Sequence, residues 1–473
     1  MVRALVIASV ALSLLPACVE PPEQLAPAMP SVQGLVPLED TEPADGVVEY
    51  SITVEKEDIE LIEGQVTKMF TYDKLTPGPL LQATVGDLVR VHVTNDLGEP
   101  TTVHWHGMRV PAEMDGVVMG GLLAIEHGET FTYEFVAPEA GTFWYHPHVR
   151  SAVQVEAGLY GAIVVHEPEE LRPQVDADRI FVLDDIRLDS DGSIAEHVNG
   201  GMDVMHGRAG NVLLVNGSTS APRVDMVPGS VERWRLVNTA NARTMHLRFP
   251  RLEVREIGGD GGLWPQEWTR GIESLVLPVG ARAELEVRLA EGEERGDMTT
   301  VVLVSDGNGG AVEEDLQTVR VRPPEGELVP GGLPGYTANP TVVVPDATAE
   351  DEPDHEVAFS GYNDDGEIVF TMNDRAWPDY EDWVVDLGDV QVIDVTNELG
   401  MEHPFHLHGQ WFTVLSRDGE PATEIGLRDT VLVRGFETVR IAAAFDNPGT
   451  WMVHCHILEH AEAGMMAVVE VRE

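Results

Sequence analysis

A chain of 473 residues, 43% hydrophobic and 6% aromatic, has enough apolar content for two to four ordinary domains with packed cores, which excludes a disordered acidic tail. Its 81 acidic against 30 basic residues give a formal net charge of -51, a field that repels DNA and RNA and excludes them as partners. The excess is spread along the whole chain, as on a heavily solvated surface, and it attracts cations.

Met1-Val2-Arg3 followed by the apolar run Ala4 to Ala17 reads as an export signal, too short to span a bilayer as a stable helix. It ends Leu15-Pro16-Ala17-Cys18, which resembles the lipobox of bacterial lipoproteins. Residues 1–18 are therefore expected to send the chain to the periplasm or cell envelope, with lipid attachment to the membrane at Cys18. Residues 19–46, rich in Pro, Glu and Ala, read as a tether. With Cys18 used there, Cys455 is the one remaining cysteine. An exported protein that keeps a single thiol is expected to use it on a metal.

Beyond the tether the chain repeats itself. Gly86-Asp87-Leu88-Val89-Arg90-Val91-His92-Val93-Thr94-Asn95 matches Gly388-Asp389-Val390-Gln391-Val392-Ile393-Asp394-Val395-Thr396-Asn397, with a weaker copy from Gly229 to Asn238. Each copy is a β-branched, alternating run bounded by turn residues, which predicts a strand. Similar runs are predicted at Thr130 to Val136, Ala283 to Leu289 and Thr438 to Ala443. Helical periodicity is scarce, so the expected fold class is all-β, with three related sandwiches over residues 47–168, 176–323 and 341–473. Pro323 to Pro340 reads as a connector.

The histidines follow this repeat. His104-Trp105-His106 begins nine residues after Asn95, and His406-Leu407-His408 begins nine after Asn397; the same count from Asn238 lands on apolar Leu247 and Phe249. The middle copy is therefore expected to hold no metal. His146-Pro147-His148 and His454-Cys455-His456 likewise follow Gly141-Thr142 and Gly449-Thr450 at one interval. On an extended strand the two histidines of each pair share a face, and Cys455 points away from its neighbours. His403, three residues before His406, is expected on the Cys455 face. His403, Cys455, His460 and Met465 then form the ligand set of a blue copper site, two His and one Cys with a weak axial Met. The eight paired imidazoles suit three further coppers.

On these motifs the chain resembles the multicopper oxidase family from about residue 47 to the end, in particular the laccase-like and copper-tolerance oxidases of bacteria. The resemblance implies three cupredoxin-like Greek-key domains and four coppers per chain. It implies a type 1 site of His403, Cys455, His460 and Met465, type 2 ligands His104 and His406, and type 3 ligands His106, His146, His148, His408, His454 and His456. Gln410 stands where many relatives carry another His, at a position that is not a ligand. Electrons from a reductant would enter at the type 1 site and pass through Cys455 to His454 and His456, with O2 reduced to water. Asp115 and Glu459 match acidic residues that the family uses for proton delivery, as general acid–base chemistry requires.

The sequence leads to a laccase-like oxidase of phenols or aromatic amines, acting as a monomer, with a metallo-oxidase of Cu(I), Fe(II) or Mn(II) as the alternative. Pro147 in place of Cys455 argues against a copper nitrite reductase, and the complete ligand set argues against a non-enzymatic cupredoxin scaffold. Met202, Met205 and His206, or Met108, Met114 and Met119, offer soft donors for Cu(I), although core filling is the ordinary use of Met.

Overall fold

Along Leu88–Asn95 the buried Val89, Val91 and Val93 alternate with half-buried Leu88, Arg90, His92 and Thr94, the period of a strand packed on one face. The repeated glycine ahead of each copy has a backbone reason. Gly86, Gly229 and Gly388 take φ of +93°, +81° and +93°, where a side chain would be strained. The repeated asparagine has a side-chain reason. Oδ1 of Asn95, Asn238 and Asn397 accepts the N–H two residues ahead, at 2.8, 3.2 and 2.9 Å, while Nδ2 donates to the carbonyls of Glu99, Arg243 and Met401. Each copy is thus a strand with a locked exit turn.

The computed structural model of the chain describes residues 31–41, 44–119, 123–197, 201–227, 229–305, 311–324, 334–337, 340–365 and 367–473. The export signal, Cys18 and much of the connector expected between Pro323 and Pro340 lie outside them. Among the described residues the strands form six sheets, two in each of three stretches of chain. The sheets are mixed: Val47–Ile62 runs parallel to Leu88–Asn95 and antiparallel to Gln65–Tyr72. Cupredoxin-like β-sandwiches are the architecture this describes. Three large apolar clusters lie within it, around Trp105 and Tyr145, around Trp234 and Leu285, and around Phe405 and Trp451.

The expected tether 19–46 is not free where it is described. Val32–Gln33 pairs in parallel with Asp178–Arg179, Val32 is buried, and Pro37 bridges Leu80. Pro- and Glu-rich composition concealed a strand whose partner edge comes from far along the chain. Among the described residues no helix is long and apolar enough to cross a membrane.

Three short helices matter for the site: α1, Ser151–Glu156, directly after the second His pair; α2, Met202–His206; and α3, Leu458–Glu462. The first and third stretches meet at the edge of the site. Trp411 packs into the first cluster, its Nε1 donates to Gly107 O at 3.1 Å, and the Arg109 guanidinium lies 5.1 Å from its ring. Such a cation–aromatic contact contributes about 0.5–2 kcal/mol.

Candidate metal centres

The strands His104–His106 and Gly141–His146 pair antiparallel, setting His104 opposite His146, and His403–Leu407 pairs with Gly449–Cys455, setting His406 opposite His454. Trp105 points into the first core and Cys455 into the third, leaving the flanking histidines on the other face. Three of the four pairs are buried at both positions, as are His146 and all but part of His148. Their nitrogens gather in overlapping groups: His104 with His106 and His146, His104 with His148 and His408, and His406 with His408 and His454. His456 joins through its Nε2, 3.2 Å from His106 Nδ1.

The protons on these rings are placed by their outer partners. His104 Nδ1 donates to Asp115 O, His146 Nδ1 to Pro147 O, His406 Nδ1 to Asp429 O and His454 Nδ1 to Cys455 O, at 2.8–3.1 Å. His408 Nδ1 donates to Asp115 Oδ2 at 3.0 Å. Each of these rings therefore presents an unprotonated Nε2, and among the described residues those of His104, His146 and His406 have no hydrogen-bond partner. His408 Nε2 and His454 Nε2 face one another at 3.0 Å, lone pair to lone pair. Buried lone pairs so arranged fit a metal cation, with carbonyls and a carboxylate fixing the rings from outside.

On the other face of Cys455 a second group forms. His403 Nδ1 and His460 Nδ1 lie 3.5 and 3.7 Å from Cys455 Sγ and 3.1 Å from each other. Met465 is fully buried in the same core, and its backbone closes the loop: Cys455 N–H donates to Met465 O at 3.1 Å and Met465 N–H to His460 O at 3.0 Å. Gly464 makes the turn possible at φ +117°, where a Cβ would stand 2.6 Å from Phe370 O. Two imidazoles and a thiol, with a thioether buried in the same core, fit copper.

Burial lowers the proton affinity of these imidazoles, His403 to about 4 and His454 to about 3, with His106, His146, His148, His408, His456 and His460 well below their usual value. Neutral imidazole is the form that ligates. Burial pushes the Cys455 thiol up instead, so its thiolate needs an adjacent cation.

Of the two proposed acids, Asp115 reaches the histidines directly. Glu459 does not: its oxygens accept from Asn241 Nδ2 at 2.8 Å and Arg208 N–H at 3.0 Å. It lines a cavity of about 230 Å³ with Asp203, Glu367 and Glu462. Glu462 in turn accepts the N–H of Ala152 at 2.9 Å, at the start of α1. Sequence reasoning missed Asp429, whose Oδ1 lies 3.2 Å from His106 Nε2 and 3.6 Å from His406 Nδ1. Nothing in Leu427-Arg428-Asp429 distinguishes it in a single sequence. His92, His127, His166, His246 and His355 join no such group among the described residues.

Two family models, both described as multicopper oxidase, match residues 53–170 and 347–473. The chain is 30% identical to the multicopper oxidase MmcO of Mycobacterium tuberculosis, over 85% of this chain and 83% of the relative. Among solved structures it is similar to a multicopper oxidase from Campylobacter jejuni described as a metallo-oxidase, with 29% identity, TM-score 0.79, and coverage of 94% and 96% of the two chains. It is also similar to a laccase-like multi-copper oxidase of Ochrobactrum sp. described as active towards lignin model compounds, with 29% identity, TM-score 0.77, and coverage of 92% and 99%.

Proposed function

The chain belongs to the multicopper oxidase family, and from that premise we propose that it is a metallo-oxidase: it oxidises a reduced metal ion of the Cu(I), Fe(II), Mn(II) class and passes the electrons to O2. In this reading His403, Cys455, His460 and Met465 hold the type 1 copper. His104 and His406 hold the type 2 copper. His106, His146, His148, His408, His454 and His456 hold the type 3 pair, four coppers in all. Bound copper supplies the one-electron redox chemistry that reduces O2. The three-domain division at 47–168, 176–323 and 341–473, export and Cys18 attachment, and a monomeric state belong to the same proposal.

The observation that carries the choice of reductant is α2. Its inner residue Val204 packs on the core that holds Cys455, and α2 lies against α3, the helix that bears His460. Its outer residues Met202, Met205 and His206, spaced i, i+3 and i+4, share a face and are exposed, the methionines to 66% and 43%. Exposed thioethers find no use in core packing; beside an imidazole they make a soft donor set, which selects Cu(I) over the harder ions. The Campylobacter jejuni structure, described as a metallo-oxidase, supports the same reading.

From Cys455 the covalent chain leads to both His454 and His456, and the 2.8 Å hydrogen bond from His454 Nδ1 to Cys455 O adds a second link to the histidine cluster. Asp115 is the proton-relay residue of the proposal, being buried with one oxygen on His408 and the other without a hydrogen bond among the described residues. Glu459, on the wall of the 230 Å³ cavity, is proposed to relay protons from that side.

Oxygen uptake by the copper-loaded protein tests this directly, with Cu(I), Fe(II), Mn(II) and a phenol such as dimethoxyphenol compared at equal concentration. Turnover of a metal ion at a higher kcat/KM than the phenol supports the proposal. Preference for the phenol would instead establish laccase-like oxidation of phenols and aromatic amines, the reading suggested by the similarity to the Ochrobactrum enzyme.

A further inference from the structure

The middle stretch of chain carries none of the proposed copper ligands, yet one of its turns stands against the histidine cluster. At Gly280 a Cβ would lie 2.8 Å from His456 Cδ2 and 3.0 Å from His106 Cε1. Two residues on, Arg282 is buried and spends all five guanidinium donors. Nη1 and Nη2 grip Asp429 Oδ1 and Oδ2 at 2.8 and 2.5 Å, Nη1 also meets Gly280 O at 3.2 Å, Nη2 meets Asp260 O at 3.0 Å, and Nε meets Thr142 O at 3.1 Å. Its own N–H donates to Asp260 Oδ1 at 2.7 Å, which seats the strand that bears it. The fit is close enough that a Cβ on Gly107, next to His106, would collide with the Arg282 Nη2.

We propose that Arg282, braced by Asp260, is a positioning residue for the oxygen-reducing centre: it fixes the Asp429 carboxylate so that His106 keeps its proton on Nε2 and offers Nδ1 to the metal. The inference rests on the function proposed above. It follows from the hydrogen bonds. His104, His146, His406, His408 and His454 have Nδ1 tied outward and Nε2 facing in, whereas His106 has Nε2 on Asp429 and Nδ1 facing His456 Nε2 at 3.2 Å. His106 is thus oriented the other way round, and among the described residues the only carboxylate within reach of its outer nitrogen is the one Arg282 holds. Lysine has no planar fork and cannot replace the bidentate grip. Without Arg282 the buried Asp429 loses its paired cation, the carboxylate turns, and the His106 proton is no longer confined to Nε2. The middle domain would then be a working wall of the centre, contributing geometry where it contributes no ligand.

The test is copper binding, read separately at the two centres in the full chain. Copper is titrated into metal-free wild type, Arg282→Lys and Arg282→Met, with the Cys455-dependent visible band reporting one centre and the remaining copper, by elemental analysis and EPR, reporting the other. The expected result is a visible band of unchanged intensity in all three and a histidine-cluster affinity lower by about 10–100-fold in Arg282→Met, with a smaller loss in Arg282→Lys. Equal cluster affinity in wild type and both variants overturns the inference, as does a parallel loss at both centres in a variant that folds. If Arg282→Met does not fold, Arg282→Lys decides alone, unchanged cluster affinity counting against. A wild type that binds copper but oxidises nothing would overturn the proposed function while the affinity comparison still reports on Arg282.

Discussion

His408 Nε2 and His454 Nε2 face each other across 3.0 Å with both Nδ1 atoms committed to acceptors, Asp115 Oδ2 and Cys455 O. Two neutral, buried lone pairs in this arrangement repel until a cation lies between them. Copper loading is therefore predicted to raise the melting temperature of the metal-free protein, with the gain following RT ln(1 + [L]/Kd), about 2.7 kcal/mol at a hundredfold excess over Kd. His454→Ala should lower the part of that gain that comes from the histidine cluster and leave the part from the Cys455 centre. Thermal unfolding with and without copper checks it.

The same burial fixes a pH dependence. Between their folded values, about 4 for His403 and about 3 for His454, and an ordinary histidine value near 6.5, the unfolded chain binds more protons than the folded one. Their contribution is full above pH 6.5 and is lost as pH falls through the folded values, by about 1.4 kcal/mol per pH unit for each such histidine. Glu156 works in the opposite sense. Burial raises its carboxyl to about 7, so its contribution is full below the ordinary 4.5 and lost as pH rises through 7. Denaturant unfolding of the metal-free protein should show a steep decline from pH 6.5 to 4. Glu156→Gln should flatten the shallower decline between pH 5 and 8.

Asp115 and Glu459 separate in kinetics. Asp115→Asn keeps the shape beside His408 and replaces the acid by an amide that cannot relay a proton; oxygen reduction should fall about 100-fold or more, with the type 1 band intact. Glu459→Gln sets an amide against the Arg208 N–H, which costs about 1–3 kcal/mol of stability. No hydrogen bond joins Glu459 to the histidines, so its effect on kcat should be well below that of Asp115→Asn. Steady-state rates corrected for folded fraction distinguish the two.

The α2 cap gives a substrate-specific prediction. Met202→Leu with Met205→Leu preserves apolar bulk and removes both exposed sulfurs. The KM for Cu(I) should rise about tenfold or more, while oxidation of a phenol and the type 1 spectrum stay unchanged. An equal loss with both reductants would assign α2 a merely structural role.

What the sequence disclosed, it disclosed through period. Strand alternation set His104 and His106 on one face and Trp105 on the other, and the Gly–Asn frame of the repeat located both His pairs because those residues lock a local turn. Residues whose meaning depends on distant partners stayed hidden. Glu232–Asn238 reads as an ordinary alternating strand but is buried at every position, with Arg233 and Arg235 paired to Glu167, Glu284 and Asp178. Asp429, just before the strand Thr430–Val433, and Arg282, at the start of the strand Arg282–Leu289, look plain one at a time, and Val32–Gln33 becomes a strand only against Asp178–Arg179. Glu459 has a near neighbour in sequence, His460, but its side chain leaves toward Asn241.

The most direct test of the account is Cys455→Ser, followed by visible absorption and oxygen uptake after copper loading. Loss of the visible band together with loss of oxygen consumption, the histidine cluster still holding copper, is the predicted result. A serine variant that keeps both its colour and its oxygen consumption would contradict it.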